Sequence, residues 1–204
     1  MDETLLAVDR RTFLQVLGSG LVITVTTPEA WAQGSGMPVS ARLSLNEDGT
    51  ITALSGKVEE GQGPRAELSQ AAAEELRVGV DQVRLVMADT DLVPDDGITA
   101  GSRTTPRNVP EMRQAAATAR ELLTTLASRT WDVDAATLEV HDGRITGPAG
   151  QAMTYGDLAR AGEVVATFDK AVRTDVALTL VPDWEVLGQS VPRPNARALV
   201  TGAH

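Results

Sequence analysis

The alternation of apolar and polar residues predicts a hairpin in the first third of the chain. Residues 39–46, VSARLSLN, alternate in this way, and residues 50–58, TITALSGKV, do so again after the turn Glu47-Asp48-Gly49. A period of two places every second side chain on one face of a strand. A Gly-containing turn between two such runs joins antiparallel neighbours. We therefore expect an antiparallel β-hairpin.

The pattern changes to a helical one at Pro64, a residue that suits the first position of a helix. Apolar residues then recur at the spacing of a single helix face. They are Leu68, Ala71, Ala72 and Leu76. Glu67, Glu74 and Glu75 fall on the other faces of this predicted helix.

A third strand and a second long helix follow. Residues 82–89, QVRLVMAD, read as a strand, and residues 90–109 form an irregular stretch rich in Asp, Gly, Thr and Pro. The second helix is predicted from about Pro110 to Arg129. Its expected buried stripe consists of Ala115, Ala119, Leu122, Leu123 and Leu126.

The last part of the chain predicts smaller elements. A second hairpin is expected about Asp142-Gly143, a short helix in the stretch TYGDLARAG, and an extended, proline-punctuated connector over 162–204. The order β-β-α-β-loop-α-β-β-α predicts an α+β fold, in which two main helices pack on a small mixed or antiparallel sheet. We assign residues 34–161 to this domain.

Composition narrows the possible chemistry. The chain has 28 acidic and 18 basic residues, a net charge of −10, no cysteine, and only two histidines, His141 and His204. A nucleic-acid binder needs a basic face. Thiolate clusters, multi-histidine metal sites and a Ser-His-Asp triad all need residues that are scarce here. A scaffold or a cofactor cradle is therefore the better hypothesis.

Residues 1–33 have the features of a twin-arginine (Tat) export signal. Arg10-Arg11 precede Phe13-Leu14, a weakly apolar run VLGSGLVITVTT follows, and Ala30-Trp31-Ala32 provides an A-x-A site. The run is too short and polar for a stable membrane span. We expect a periplasmic location, or one at the outer face of the cytoplasmic membrane, and a cytoplasmic one if the signal is not used. The alternative is an amphipathic N-terminal helix.

Two loops bring exposed backbone to the starts of the two long helices. They contain Gly61-Gln62-Gly63 and the stretch GITAGSRTT at 97–105. Helix N-termini attract anions, and glycines allow a ligand to approach the backbone. Gln62 adds amide groups, and Ser102 and Thr104 add hydroxyls. The loops suit a phosphate-bearing cofactor or a metal-oxo group, although simple turns and helix caps remain the alternative.

Other ligand motifs do not match. The glycine spacing lacks the third glycine of a dinucleotide fold and the Gly-Lys-Ser/Thr of a phosphate loop. Four aspartates in the irregular stretch do not have EF-hand spacing, so we interpret them as solvated loop acids. They are Asp89, Asp91, Asp95 and Asp96.

Taken together, GKVEEGQGPRAELSQAAAEEL, VRLVMADTDLVPDDGITAGSRTT and the Ala-rich helix after them resemble the molybdenum-cofactor subunit of the xanthine oxidase family. The resemblance covers roughly residues 38–204. It is strongest to the branch of isoquinoline 1-oxidoreductase beta subunits and related aldehyde and nicotinate dehydrogenases. It implies a molybdopterin-binding α+β domain.

The resemblance also implies site residues. In the family an E-x-G-Q-G loop and an A/G-S-x-[ST] loop contact molybdopterin, with the glutamine near the oxo group of the metal. The matching cofactor-binding residues are Glu60, Gly61, Gln62, Gly63, Gly101, Ser102 and Thr104. Glu60 stands where the family commonly has Met, which favours a backbone contact there. No glutamate of this chain matches the family's catalytic glutamate, and no metal ligand is expected from it.

Three functions are carried forward. The first is a molybdenum hydroxylase component for aldehydes or N-heterocycles, inactive alone. It would share molybdenum and molybdopterin, plain or as the cytosine dinucleotide, with a second molybdopterin-binding chain, and would pass electrons to an iron–sulfur or cytochrome c subunit. The tail GQSVPRPNARALVTGAH resembles the run-up to a hammerhead-like domain, which suggests a split or truncated subunit. The alternatives are an exported interaction module without cofactor and an unrelated nucleotide or phosphate binder.

Overall fold

The first sheet is mixed and includes the predicted hairpin. The computed structural model describes residues 36–203. Strands β1 (Leu43–Leu45) and β2 (Ile51–Ser55) pair antiparallel, and β3 (Val83–Met87) pairs parallel with β2. Two parallel neighbours need a crossover connection. Helix α1 (Pro64–Leu76) supplies it and begins at Pro64, as the sequence predicts.

The second sheet is antiparallel and lies later in the chain. It consists of β4 (Glu139–His141), β5 (Arg144–Thr146) and β6 (Ala152–Thr154). The hairpin about Asp142-Gly143 is therefore present, but β6 was not expected. Helix α3 (Tyr155–Arg160) follows directly, with Thr154 and Asp157 capping its N-terminus reciprocally.

The two long helices form the centre of the molecule. Helix α2 (Val109–Trp131) packs on α1, and both contribute buried alanines to one core with β1 and β2. The predicted stripe of α2 is buried throughout. Alanine side chains allow two helix backbones to approach closely, so a core with few aromatic residues still packs densely. The predicted α+β class is confirmed.

The connector predicted over 162–204 is less extended than expected in the part that the structure describes, up to residue 203. It contains helices α4 (Val164–Phe168) and α5 (Ala196–Thr201), as well as a 3-10 turn at Val181–Asp183. Phe168 is fully buried in the core, which explains why this part of the chain folds back. No helix within residues 36–203 has the length and hydropathy needed to cross a bilayer.

Two glutamates of α1 are buried, which the helical pattern did not indicate. Side-chain exposure is 1% at Glu74 and 0% at Glu75. The carboxylate of Glu75 accepts hydrogen bonds from Arg113 Nη2 at 2.6 Å and Thr179 Oγ1 at 3.0 Å. The faces of α1 on which they lie are covered by α2 and by the returning chain near residue 179. Their charges are therefore compensated inside the protein.

The partner of Glu74 is the same returning chain. Oε2 of Glu74 accepts hydrogen bonds from the backbone N–H groups of this chain at Glu185, Val186 and Leu187, at 3.1, 2.7 and 2.9 Å. A carboxylate that collects three consecutive N–H groups satisfies backbone that has no secondary structure of its own. The segment 179–187 is thus fastened along α1 by two buried glutamates.

Candidate functional site

The two loops singled out from the sequence lie side by side. Because β2 and β3 are parallel, the chain leaves both strands at the same edge of the sheet. The first loop (residues 56–63) follows β2, and the second loop (residues 94–103) lies beyond β3. The N–H of Val58 donates to Thr99 Oγ1 at 3.0 Å, which joins the loops directly.

Lys57 makes the second connection between the loops. Its side chain is 1% exposed, and Nζ donates to the carbonyl oxygens of Gly97 at 3.3 Å and Ile98 at 2.9 Å. Within residues 36–203 it has no carboxylate partner. A buried ammonium group must have its hydrogen bonds satisfied, so these two carbonyl groups hold the second loop against the first. Buried and less buried residues alternate along β2, and the alternation continues past Ser55 to position 57. This period of two was the sequence signal that Lys57 would be buried.

Asp96 anchors the second loop to the end of β2 and to Arg42. Its Oδ2 accepts hydrogen bonds from Arg42 Nη1 at 2.7 Å, Ser55 Oγ at 2.9 Å and the N–H of Gly56 at 2.8 Å. Burial raises the pKa of this carboxyl, but the Arg42 hydrogen bond and charge, together with Ser55 and Gly56, outweigh burial and lower it. The interpretation of Asp96 as a solvated loop acid is therefore wrong.

Gly56 allows this anchoring because nothing larger fits. A Cβ there would collide with the carbonyl oxygen of Pro94 and lie 2.9 Å from the backbone nitrogen of Asp96. The close approach of two backbones is a property that only glycine provides. The first loop therefore rests directly on the second at its start.

The corner before α1 has left-handed glycines and open space. Gly61 has φ 105°, Gly63 has φ 87°, and a Cβ on either would meet no atom within 4 Å. Glycine is therefore required here by the left-handed backbone, and a side chain at either position would project into open space.

The N–H groups that flank Gln62 are, however, already bonded. Glu59 Oε1 accepts from Gly61 at 3.1 Å and from Gly63 at 3.2 Å, and Oε2 accepts from Arg65 at 3.4 Å. The carboxylate of Glu59 occupies the position expected for an anionic ligand. Sequence reasoning missed this role, although a glutamate just before a Gly-x-Gly turn and a helix was a usable signal.

Gln62 lies at the tip of the corner and is exposed. Its Oε1 accepts the N–H of Glu60 at 2.7 Å, and its Nε2 donates to the carbonyl oxygen of Val58 at 3.0 Å. A carboxamide has two N–H groups, so one remains for a ligand. The amide is therefore held in place at the tip of the corner.

The predicted residues of the second motif, Gly101, Ser102 and Thr104, divide into two groups. Gly101 and Ser102 are exposed, with φ of 62° and 56°. Thr104 is 8% exposed and begins a π-helical turn, Thr104–Asn108, which leads into α2. Its hydroxyl is therefore less accessible than that of Ser102. The seven predicted cofactor contacts stay predictions.

The chemistry available is hydrogen bonding and open backbone. Within residues 36–203 no group of three or more His, Asp or Glu residues is placed to hold a metal ion. The exposed donors at Gln62 and Ser102 can hydrogen-bond an oxygen-rich organic group, and the glycine corner beside them leaves room for its approach.

Comparison with known proteins decides between the ligand classes. Residues 7–191 match the family model of the molybdopterin cofactor-binding domain. This chain belongs to that family. The resemblance found in the sequence is thereby confirmed, as is the expected cofactor class, molybdopterin with molybdenum.

The relatives of this molybdopterin-binding chain are subunits of longer enzymes. It is 28% identical over 200 residues to a subunit of the nicotinate dehydrogenase of Pseudomonas putida, covering 95% of this chain and 16% of that protein. It is 30% identical over 154 residues to the beta subunit of isoquinoline 1-oxidoreductase of Brevundimonas diminuta, covering 72% and 18%. The chain spans less than a fifth of the length of these relatives.

The fold is shared with solved enzymes. A Cu,Mo-CO dehydrogenase aligns with a TM-score of 0.52 and 26% identity, over 58% of this chain and 15% of that one. Quinoline 2-oxidoreductase from Pseudomonas putida 86 aligns with a TM-score of 0.51 at 22% identity, over 68% and 17%, and supports the fold alone.

Proposed function

We propose that the first and second loops form one wall of the molybdopterin site of a molybdenum hydroxylase. The observation that carries this proposal is the direct connection of the loops by Lys57 and by the Val58–Thr99 hydrogen bond. It brings two motifs that are far apart in sequence to one edge of the sheet. Gln62 and Gly101-Ser102 are the residues of this wall that would hold the cofactor.

In the assembled enzyme this chain orients the cofactor. When bound, the cofactor supplies the two-electron oxidation and the oxygen transfer. Gln62 offers its remaining N–H, and Ser102 offers a hydroxyl. We propose aldehydes or N-heterocycles as the substrate class, supported by relatives named for nicotinate and isoquinoline.

The rest of the site and the electron relay require further polypeptide. Glu59 is engaged by backbone, and Glu74 and Glu75 are buried in ion pairs, so none of these three has the freedom of a general base. We propose that a second molybdopterin-binding polypeptide contributes the catalytic glutamate and substrate pocket. An iron–sulfur or cytochrome c subunit would accept the electrons, in keeping with a chain that has no cysteine.

The test is cofactor retention in the assembled complex. Gln62→Ala and Gly101→Ala should each lower the molybdopterin and molybdenum content, because the first removes a donor and the second strains a left-handed residue. Gln151→Ala and Gly150→Ala are matched controls. Gln151 also holds a local loop N–H, and Gly150 also has positive φ with open space around it.

Equal retention in all four variants would reject the wall and favour an interaction module without cofactor. A wild-type complex without molybdenum would reject the function itself. The assay therefore separates the proposed function from the alternative.

We further propose that residues 1–33 direct export by the twin-arginine pathway, to the periplasm or the outer face of the cytoplasmic membrane. These residues lie outside the described part, and the proposal rests on their sequence alone. Replacing both Arg10 and Arg11 by lysine keeps the charge and should leave the protein in the cytoplasmic fraction. Export at the wild-type level would reject the proposal.

A further inference from the structure

We propose that Glu59 is a positioning residue that fixes the corner 61–63, so that Gln62 is presented to the cofactor in one orientation. The contact with the cofactor rests on the proposed function. The fixing of the corner by Glu59 does not, because it is a property of this chain alone. The two parts can therefore be tested separately.

The carboxylate of Glu59 joins both sides of the corner. One oxygen of Glu59 accepts the N–H of both Gly61 and Gly63, the two residues that flank Gln62. The other oxygen accepts the N–H of Arg65 in the first turn of α1. Two glycines in left-handed conformations are intrinsically flexible. A single acceptor shared by both removes that freedom at the point where the glutamine projects.

The negative charge of Glu59 lies at the N-terminus of α1. The side chain of Glu59 is 10% exposed, and its carboxylate lies at the N-terminus of a 13-residue helix. It therefore satisfies the positive end of the helix from within the chain. An external anion would have to displace it to reach these N–H groups. The group that would contact the cofactor at this corner is consequently the Gln62 side chain and not the backbone N–H groups.

The orientation of the Gln62 side chain depends on the same corner. Both of its hydrogen bonds go to backbone within the loop, to the N–H of Glu60 and the carbonyl oxygen of Val58. The direction of its remaining N–H is set by where those two groups lie. Loss of the Glu59 carboxylate should therefore misdirect Gln62 without touching it.

The returning chain adds one weaker contact. Arg193 Nη2 lies 3.3 Å from Glu59 Oε1, and the side chain of Arg193 is 39% exposed. An exposed ion pair contributes little. Arg193→Ala should thus leave the corner in place, and it distinguishes the backbone hydrogen bonds of Glu59 from its ion pair.

The first arm of the experiment measures hydrogen–deuterium exchange of peptides spanning 59–66 in the full chain, before cofactor loading. Glu59→Ala should accelerate exchange by about tenfold or more, the factor expected for losing charge-assisted hydrogen bonds. Glu59→Gln keeps the length and one acceptor oxygen, so it should rescue much of the protection. Glu67→Gln is the matched control, since it removes one charge from the same helix turn and should leave exchange unchanged.

The second arm measures molybdopterin content and the molybdenum spectrum of the assembled complex. Glu59→Ala should lower cofactor content or alter the spectrum, Glu59→Gln should do so less, and Arg193→Ala should match the wild type. Unchanged exchange in Glu59→Ala would overturn the positioning role. Faster exchange with unaltered cofactor content and spectrum would overturn the link to the cofactor.

The two failures are distinguishable from that of the proposed function. If the wild-type complex lacks molybdopterin, the function is rejected, and the exchange arm still decides whether Glu59 holds the corner. If Glu59→Ala does not fold, Glu59→Gln carries both arms: the loss of the Oε2 acceptor should still give measurably faster exchange and lower cofactor content than the wild type, and wild-type values of both would overturn the proposal.

Discussion

At the scale of single residues, the site is organised by buried charges that contact backbone. Asp96, Lys57 and Glu59 each bind main-chain groups of another part of the two loops. Loop backbone has no ladder partners, so charged side chains that reach it take over the role of secondary structure. Lys57 and Asp96 lie outside the family motifs, whereas Glu59 stands at the first position of E-x-G-Q-G without being among the predicted cofactor contacts. Their function is to hold the loops, and the motif residues would then meet the ligand.

The clearest prediction at this scale concerns Asp96. Asp96→Asn leaves the buried Arg42 guanidinium with its longer contact to the Glu111 carboxylate at 3.3 Å, so the free energy of unfolding should fall by about 3 kcal/mol, the lower end of the cost of breaking a buried ion pair. Denaturant unfolding measures this change. Asp95→Asn is the control: Asp95 is exposed and accepts the N–H of Gly97, which an Asn oxygen can also accept. Equal stabilities of the two variants would contradict the anchoring role.

The same residue predicts a pH dependence. The folded-state pKa of Asp96 is lowered from its ordinary value of 3.8. The contribution of this carboxylate is therefore complete above the ordinary value and is lost as the pH falls through the lowered one. Unfolding measured across this acidic range should show a smaller pH dependence in Asp96→Asn than in the wild type. If the free energies of unfolding of the wild type and of Asp96→Asn changed in parallel with pH, the proposed contribution of the Asp96 carboxylate would be contradicted.

At the scale of elements, the two long helices follow from their apolar periodicity, but their environment does not. Helix α1 starts at Pro64, and the apolar stripe of α2 is buried, as predicted. The same helical pattern assigned Glu74 and Glu75 only to other faces. It could not show that the returning segment 179–187 covers those faces, because that contact joins residues about 100 positions apart.

Glu75 provides the prediction at this scale. Glu75→Gln removes the ion pairs with Arg113 and Arg120 and should lower the free energy of unfolding by about 3–5 kcal/mol. Detachment of the returning segment should also speed trypsin cleavage after Arg173 or Arg193. Glu121→Gln breaks an exposed pair with Arg173 and should change little. Unaltered proteolysis in Glu75→Gln would show that the segment is held by other contacts.

At the scale of the whole molecule, a parallel strand pair brings together the two loops of the proposed wall. The motifs at 61–63 and 101–104 are 40 residues apart, and the shared edge of β2 and β3 brings their loops together. The exposed surface of the loops is glycine-rich and includes the apolar side chains of Val58 and Ile98, and the chain spans less than a fifth of its relatives. The complete site would thus require polypeptide on the open side of the wall.

A substitution of Lys57 tests whether the cofactor requires the connection between the two loops of the proposed wall. Lys57→Met preserves the length of the side chain but removes both hydrogen bonds to the second loop. Cofactor content of the assembled complex should fall severalfold, while the far-ultraviolet circular dichroism stays that of the wild type. Lys170→Met is the matched control, because Lys170 is exposed and lies outside both loops. Wild-type cofactor content in Lys57→Met would show that the loops hold their positions without the bridge.

The sequence alone determined the α+β class, the two long helices, both hairpins and the two loops, because each depends on local periodicity or turn chemistry. It also identified the family through motifs that keep their order and spacing. Only the tertiary structure decided that Lys57, Asp96, Glu74 and Glu75 are buried and that Glu59 fills the corner before α1. The physical reason is that burial of a charge depends on partners distant in sequence, and local pattern carries no information about them.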